Sequence, residues 1–183
     1  MRKRARLLTL LTLVVLLGAC ESRTDRTDSG GVTLSISDFN GLPLRVGVNG
    51  ANGLVQVDQI TVDNLALDPT GAVSPLMNVE IHSYEVTYTR ADRGSRVPVP
   101  LVAGLFGVAP VNGTFTVDNL PVMGADQFNQ PPLSDLFFQN GGFDKETGDQ
   151  LVSINFRLRF FGRTISGDPV QSNFANFKVE FVP

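Results

Sequence analysis

The sequence predicts an all-β fold, an antiparallel β-sandwich of about seven to nine strands. Two observations lead to this prediction. After residue 31 no segment keeps a helical apolar period over three turns, and Val, Thr and Phe alternate with polar residues instead. Glycine (18 residues) and proline (11 residues) are also frequent, which is typical of many short strands joined by turns.

The first half of the domain contains three candidate strands. Residues 32–36 alternate cleanly between apolar and polar side chains, and residues 44–48 form a second, shorter candidate. Residues 54–67 form a longer one, in which the apolar positions change parity midway. This change predicts a bulge or a short turn near Asp58.

The middle of the chain is predicted to contain a long strand at residues 79–89. The apolar phase switches near His82-Ser83, which predicts a bulge there. Residues 90–96 read as a polar, hairpin-like connection. Asn112-Gly113 is a turn signal, and a strand is predicted directly after it at residues 114–117.

The C-terminal part predicts an antiparallel strand pair. Residues 152–160 and 177–181 both alternate, and Gly167-Asp168-Pro169 supplies a turn between them. The segment 132–139 (PLSDLFFQ) is the one expected helical exception, one or two turns long, because a proline precedes a short apolar run.

The N-terminus has the parts of a secretory signal peptide. An uncharged apolar run at residues 7–17 follows a compact positive cluster. Residues 7–19 are too few to span a bilayer, which takes about 20 residues. We therefore expect residues 1–19 to be a cleaved leader. The cluster consists of Arg2, Lys3, Arg4 and Arg6.

The end of the leader reads Leu17-Gly18-Ala19-Cys20, which resembles the lipobox of bacterial lipoproteins. The resemblance implies cleavage between Ala19 and Cys20, a diacylglycerol on the Cys20 thiol and a further acyl chain on the new amino group. It also implies that Glu21, being no aspartate, favours the outer membrane over the inner one. Cys20 is the only cysteine in the sequence, so no intrachain disulfide can form.

The predicted organisation is a leader (1–19), a lipidated flexible tether (20–31) and a single β-sandwich domain (32–183). The tether sequence ESRTDRTDSGG contains no apolar residue. The leader holds four of the 15 basic residues and none of the 18 acidic ones, so residues 20–183 have a net charge of −7. An acidic domain without a basic stripe argues against nucleic acid as a partner.

Three segments resemble strands of immunoglobulin-like or fibronectin type III-like bacterial modules. They are VEIHSYEVTYTR, INFRLRFFGRT and the final FKVEFV. The resemblance rests on strand pattern and implies an immunoglobulin-like sandwich. The disulfide and core tryptophan of antibody domains are absent, because the chain has one cysteine and no tryptophan.

The sequence shows no catalytic constellation, so we expect a protein without enzymatic activity. His82 is the only histidine, and we expect it to be a strand residue rather than a member of a Ser-His-Asp triad. No Gly-x-Ser-x-Gly elbow occurs. Zinc sites need several His or Cys ligands, which this sequence cannot supply.

Two groups of charged residues remain as candidate binding sites. Asp144, Glu146 and Asp149 form the densest acidic loop and are calcium candidates, although they lack EF-hand spacing and read more simply as solvated turn residues. Arg157 and Arg159 share the polar face of a strand. An anion or glycan site there is the alternative to a solvated face paired with Glu or Asp on a neighbouring strand.

The sequence therefore predicts a membrane-anchored envelope lipoprotein that acts as a non-enzymatic structural or interaction module. A calcium- or glycan-binding module is one alternative, and a carboxylate-based hydrolase of envelope polymers is another. The expected partners are the membrane, through the lipid on Cys20, and an envelope protein or glycan. No cofactor is expected apart from that lipid or calcium.

Overall fold

The structure is a computed structural model that describes residues 29–183, so the leader and Cys20 lie outside the described residues. This part of the chain contains nine strands, one α-helical turn (α1) and four 3₁₀ turns. The strands are β1 (Val32–Asn40), β2 (Arg45–Gly47), β3 (Val55–Ala66), β4 (Val79–Arg90), β5 (Leu101–Ala109), β6 (Gly113–Met123), β7 (Val152–Thr164), β8 (Pro169–Gln171) and β9 (Ala175–Val182). The helical elements are α1 (Ala125–Phe128) and the 3₁₀ turns Ser29–Gly31, Pro75–Met77, Leu133–Leu136 and Phe138–Asn140.

Two sheets make up the predicted all-β sandwich. One sheet has the order β1-β3-β6, and the other has the order β2-β9-β7-β4-β5, with the short β8 paired to β7. All pairs are antiparallel except β2 with β9, which run parallel. The sheet edges are therefore β1 and β6 on one layer and β2 and β5 on the other.

The strand order matches that of an immunoglobulin-type sandwich, with β1, β3 and β6 in the places of strands A, B and E. Strands β4, β7 and β9 take the places of C, F and G, and β5 extends the sheet beside C. The constant-type sandwich has a fourth strand, D, beside E. In residues 29–183 no strand lies in that place, so β6 is an edge.

The core lies between the layers and is rich in aromatic side chains. The fully buried ring of Phe156 on β7 stacks on Phe177 at 5.1 Å between centroids and meets Tyr88 edge-on at 5.0 Å. Phe160 and Phe181 are also fully buried. Aromatic pairs of this kind contribute about 0.5–1.5 kcal/mol beyond their area burial.

Two tyrosines of β4 tie the layers together. The hydroxyl of Tyr84 donates to the Pro121 carbonyl, and that of Tyr88 donates to the Val122 carbonyl, both at 2.7 Å. Because both acceptors belong to β6, the bonds cross the sandwich. Desolvation of the buried Tyr88 side chain raises its pKa, so the hydroxyl keeps its proton and remains a hydrogen-bond donor.

The predicted bulge at His82-Ser83 is confirmed. On β7, Gly162 faces Ile81 while the adjacent Phe161 faces Ser83, so His82 is the extra residue in β4. Near Asp58 the β3–β6 pair has an irregularity, but it lies between Val55 and Gln56 rather than at Asp58. Strand β3 runs unbroken, its Cα register with β6 is constant across Asp58, and β6 shows two successive exposed residues, Asp118 and Asn119, at the facing position.

The predicted C-terminal pairing is confirmed, but its connection is different. Strands β7 and β9 are antiparallel, with Phe156 opposite Phe177. The turn at residues 167–169 leads first into β8, which forms the tight hairpin with β7. The helical exception at 132–139 is confirmed as two 3₁₀ turns.

Candidate functional site

Strand β5 is an uncharged edge of the six-stranded sheet. Its sequence, LVAGLFGVA, contains no polar side chain, and β4 is its only strand partner in residues 29–183. Its outward side chains are accessible: Phe106 is 83% exposed, Val102 69% and Val108 40%. Natural edge strands usually carry charges, prolines or a covering segment that prevent further strand pairing. Strand β5 carries no charge or proline within its bounds.

A bulge interrupts β5 near its middle. Ile81 faces Gly107 and Ser83 faces Gly104, so β5 has one more residue than β4 between these pairs. Regular pairing is thus divided into residues 101–104 and 107–109. The bulge is the one protective feature that we find on this edge.

The two glycines of β5 face different surroundings. A Cβ on Gly104 would have no heavy atom within 4 Å, so this position faces open space. Gly107 lies under the ring of Phe115 and has no room for a Cβ. Gly104 therefore tolerates a side chain, whereas Gly107 is needed for close packing of the two layers.

A pocket of about 360 Å³ opens between β5 and β6. Most of its lining side chains are apolar, and those contributed by β5 are only half-buried because no strand covers this side of the core. We call β5, β6 and this pocket the open side of the sandwich. Residues that line the pocket include Tyr84, Leu101, Ala103, Leu105, Val117 and Leu120.

His82 lies next to the open side and points outward. Its Nδ1 is 2.9 Å from the hydroxyl of Ser83, and its side chain is exposed. Among the described residues no carboxylate is hydrogen-bonded to the imidazole, although a Ser-His-Asp triad requires one. The arrangement is that of a surface strand residue.

A second surface feature is a polar trough on the outer face of β4, β7 and β9, with a volume of about 560 Å³. The guanidinium carbon of Arg157 lies over the ring of Phe174, 3.4 Å from the ring centroid. Within residues 29–183 Arg157 makes no ion pair. The polar side chains of the trough are Thr87, Thr89, Asn155, Arg157, Asn176 and Lys178.

The other two arginines of this face behave differently. Arg159 pairs with Glu85 on the neighbouring strand at 3.4 Å and bonds Gln171 at 2.9 Å. Arg163 is exposed and lies beside His82 and Phe106. The solvated, paired face is therefore correct for Arg159, whereas Arg157 keeps an available guanidinium.

The acidic loop that contains the calcium candidates packs against arginine side chains. The Asp144 carboxylate is fully buried and accepts from Arg90 at 2.9 Å and from Arg96 at 2.7 Å. Asp149 pairs with Arg93 at 3.0 Å. We call these ion pairs, with those of Asp92, Asp135 and Glu146 to the same arginines, the arginine clasp.

The contacts of Asp144 and Glu146 lower the pKa of both carboxyl groups. Desolvation acts to raise the pKa of Asp144, but hydrogen bonds, above all from Arg90, outweigh it and lower the pKa to about 2. Hydrogen bonds from the hydroxyl of Ser95 and from the amides of Ser95 and Arg96 lower the pKa of Glu146 to about 2. Both carboxylates are thus charged and occupied by donors at neutral pH.

The calcium site remains a prediction. Among the described residues no group of three or more His, Cys, Asp or Glu side chains is arranged to hold a metal ion. Calcium bound by Asp144 or Glu146 would have to displace guanidinium or backbone N–H donors. A rise in melting temperature with millimolar calcium is the expected result if the loop binds the ion.

None of the helices in the described part of the chain has the length and apolar character that crossing a membrane requires. Comparison with protein-family models, with curated proteins and with solved structures finds no match.

Sequence reasoning missed β5, the strand that forms the open side. An edge strand with apolar residues on both faces has no period-two alternation, which is the signal used to find strands. Its uncharged run of nine residues, directly after Pro98 and Pro100, is the signal that could have identified it.

Proposed function

We propose that this chain is a lipoprotein of the bacterial cell envelope, anchored through lipid on Cys20, whose β-sandwich is a non-enzymatic interaction module. The leader and the lipobox sequence support the anchor. Glu21 supports the outer membrane as the destination. The domain then faces the periplasm or the cell surface.

One observation carries the interaction role: an uncharged sheet edge lies beside an opening into the core. Phe106 is 83% exposed on an edge that no other strand covers in residues 29–183. Exposed apolar surface on an otherwise acidic domain favours a protein partner. Edge strands bind partners by main-chain hydrogen bonds, and pockets select their side chains.

Photo-crosslinking in the native cell tests this role. The photoreactive residue p-benzoylphenylalanine replaces Phe106 in the full chain, and Phe138 serves as the matched control site. Phe138 is also an exposed phenylalanine (70%), but it contacts Asn49, close to the opposite edge. We expect protein adducts from position 106 and none from 138. No adduct from 106, or equal adducts from both, contradicts the proposal.

The anchor has a separate test. Cys20→Ser removes the thiol that accepts the lipid, so we expect the variant to leave the membrane fraction for the soluble one. A Ser35→Cys change added to the same variant restores a thiol at an unrelated place and is the control, because it should not restore membrane retention. Unchanged fractionation of Cys20→Ser contradicts lipidation at this residue.

A glycan is the second candidate ligand, and the trough at Arg157 favours it. A guanidinium held over a ring and surrounded by amide and hydroxyl groups suits a sugar that carries a carboxylate. Titration calorimetry with an oligogalacturonate should show binding that Arg157→Gln removes. Arg163→Gln, which changes charge equally outside the trough, is the control. No heat with the unmodified chain contradicts this candidate.

A further inference from the structure

The occupant of the open side follows from the chemistry of β5 itself. We propose that two copies of this chain associate edge to edge, β5 against β5 in antiparallel orientation, so that the two six-stranded sheets become continuous. This inference rests on the proposed interaction role and names its partner. It assigns the exposed apolar edge to self-association.

Charge selects this edge over the other surfaces. Residues 20–183 carry a net charge of −7, so two copies repel each other over much of their surface. Strand β5 is nine residues long and has no charge, so it can face a copy of itself without placing like charges opposite each other. The opposite edge of the same sheet has Arg45 beside Glu180 and is charged.

The geometry of the edge is compatible with a two-fold axis. The bulge leaves residues 101–104 regular, so a pairing centred on Ala103 stays within them and sets Val102 of one copy opposite Gly104 of the other, where there is no side chain to displace. An axis perpendicular to the sheet keeps the outward faces of both copies on the same side. Val102 and Phe106 of the two copies then cover one another, which removes their exposed apolar surface from water.

The membrane favours the association. Two chains anchored in one bilayer move in a plane, which raises their effective concentration above that of the free chains. A weak edge-to-edge contact, too small for a stable dimer in dilute solution, can therefore be populated at the membrane. The proposal predicts self-association that depends strongly on local concentration.

The test uses two full-length, differently tagged copies expressed together in the native cell. Each contains p-benzoylphenylalanine at position 106. After irradiation we expect an adduct at twice the chain mass that carries both tags. Gly104→Lys should reduce this adduct at least tenfold, since a lysine ammonium in the centre of the edge opposes strand pairing. Ser37→Lys adds the same charge at an exposed position of β1, an edge strand of the other sheet, and should leave the adduct unchanged.

Each outcome separates this inference from the proposed function. An adduct with a different polypeptide and no dual-tag adduct overturns self-association and keeps the interaction role. No adduct of any kind overturns both. A dual-tag adduct that persists in Gly104→Lys overturns the assignment to β5. Circular dichroism of Gly104→Lys should match that of the unmodified chain, because a Cβ at Gly104 meets no atom within 4 Å.

Discussion

Within residues 29–183 the sandwich has a closed side, where the edge strand β1 is covered, and an open side, where the edge strand β5 is not covered. On the closed side, the segment after β8 covers β1: Leu34 forms a bridge with Ser172, and the Ile36 N–H donates to Asn173 Oδ1 at 2.7 Å. Ser172 is buried and its hydroxyl accepts from the Phe160 N–H. On the open side, β5 and β6 belong to different sheets and frame a pocket. The chain covers one edge with its own backbone and leaves the other available.

This difference indicates that the closed side contributes more to stability and that the open side is the binding surface. The closed side is built from fully buried apolar residues and satisfied backbone groups. On the open side the inward residues of β5 (Leu101, Ala103 and Leu105) are only half-buried, and two tyrosine hydroxyls of β4 bond to β6 beside them. Surfaces that bind partners are commonly less stable locally than the scaffold that carries them.

A matched pair of substitutions gives the largest expected effect. Leu34→Ala on the closed side removes a fully buried side chain and should lower the free energy of unfolding by about 2–5 kcal/mol. Leu105→Ala on the open side removes a half-buried one and should cost about 1 kcal/mol or less. Urea denaturation measures both. Equal losses would mean that the two sides do not differ in packing.

Acid should weaken the connection that leads into the open side. The clasp holds residues 90–96, which precede β5, and the pKa of both Asp144 and Glu146 is about 2 in the folded chain against ordinary values of 3.8 and 4.5. The unfolded chain therefore binds protons first. The stabilisation is complete above about pH 5 and is lost as the pH falls toward about 2, roughly 2 kcal/mol for Asp144 alone.

Melting curves between pH 7 and pH 2 check this expectation. Asp144→Asn should be less stable at neutral pH, because the guanidiniums of Arg90 and Arg96 lose their charged acceptor. Its stability should change less with pH over the acid range. A variant with an unaltered acid profile would show that the clasp does not govern the transition.

The bonds that cross the sandwich on the open side should contribute an intermediate amount. Tyr88→Phe removes a buried hydroxyl and leaves the Val122 carbonyl without its donor. We expect a loss of about 1–2 kcal/mol. Tyr84→Phe is the comparison and should cost less, because the Tyr84–Pro121 hydrogen bond is only partly buried and Tyr84 lines the pocket. If neither variant lowered the free energy of unfolding, the two tyrosine hydroxyls would not contribute to holding the layers together.

The smallest expected effect on stability is that of Gly104→Lys. The new side chain enters open space, so the free energy of unfolding should stay within about 0.5 kcal/mol of the unmodified value. Thermal melts of the two proteins measure it. A large loss would mean that the edge is packed and not open, which would contradict the distinction between the two sides.

The sequence predicted the strands whose two faces differ in polarity. Strands β4 and β7 each bury one face, so their alternation was visible, and the bulge at His82 appeared as a phase switch. Strand β5 was not predicted because it is apolar on both faces. The apolar character of both faces removes the alternating pattern from the sequence, and the same character identifies β5 as the candidate binding edge.

The surroundings of the acidic loop could not be read from local spacing. Arg90 and Asp144 are 54 residues apart, and Arg96 and Asp144 are 48 apart, so their pairing depends on the tertiary fold. The local sequence around Asp144 showed only a dense acidic turn. The arginines that pack on it come from the last residue of β4, Arg90, and from the connection that follows it, which the sequence indicated only as a polar segment.

The most direct test of the central claim, that the open side is the binding surface, is crosslinking in the native envelope from position 106 compared with position 138. The account predicts adducts from 106, reduced at least tenfold by Gly104→Lys, and none from 138. Adducts that come equally from both positions, or from neither, would contradict it.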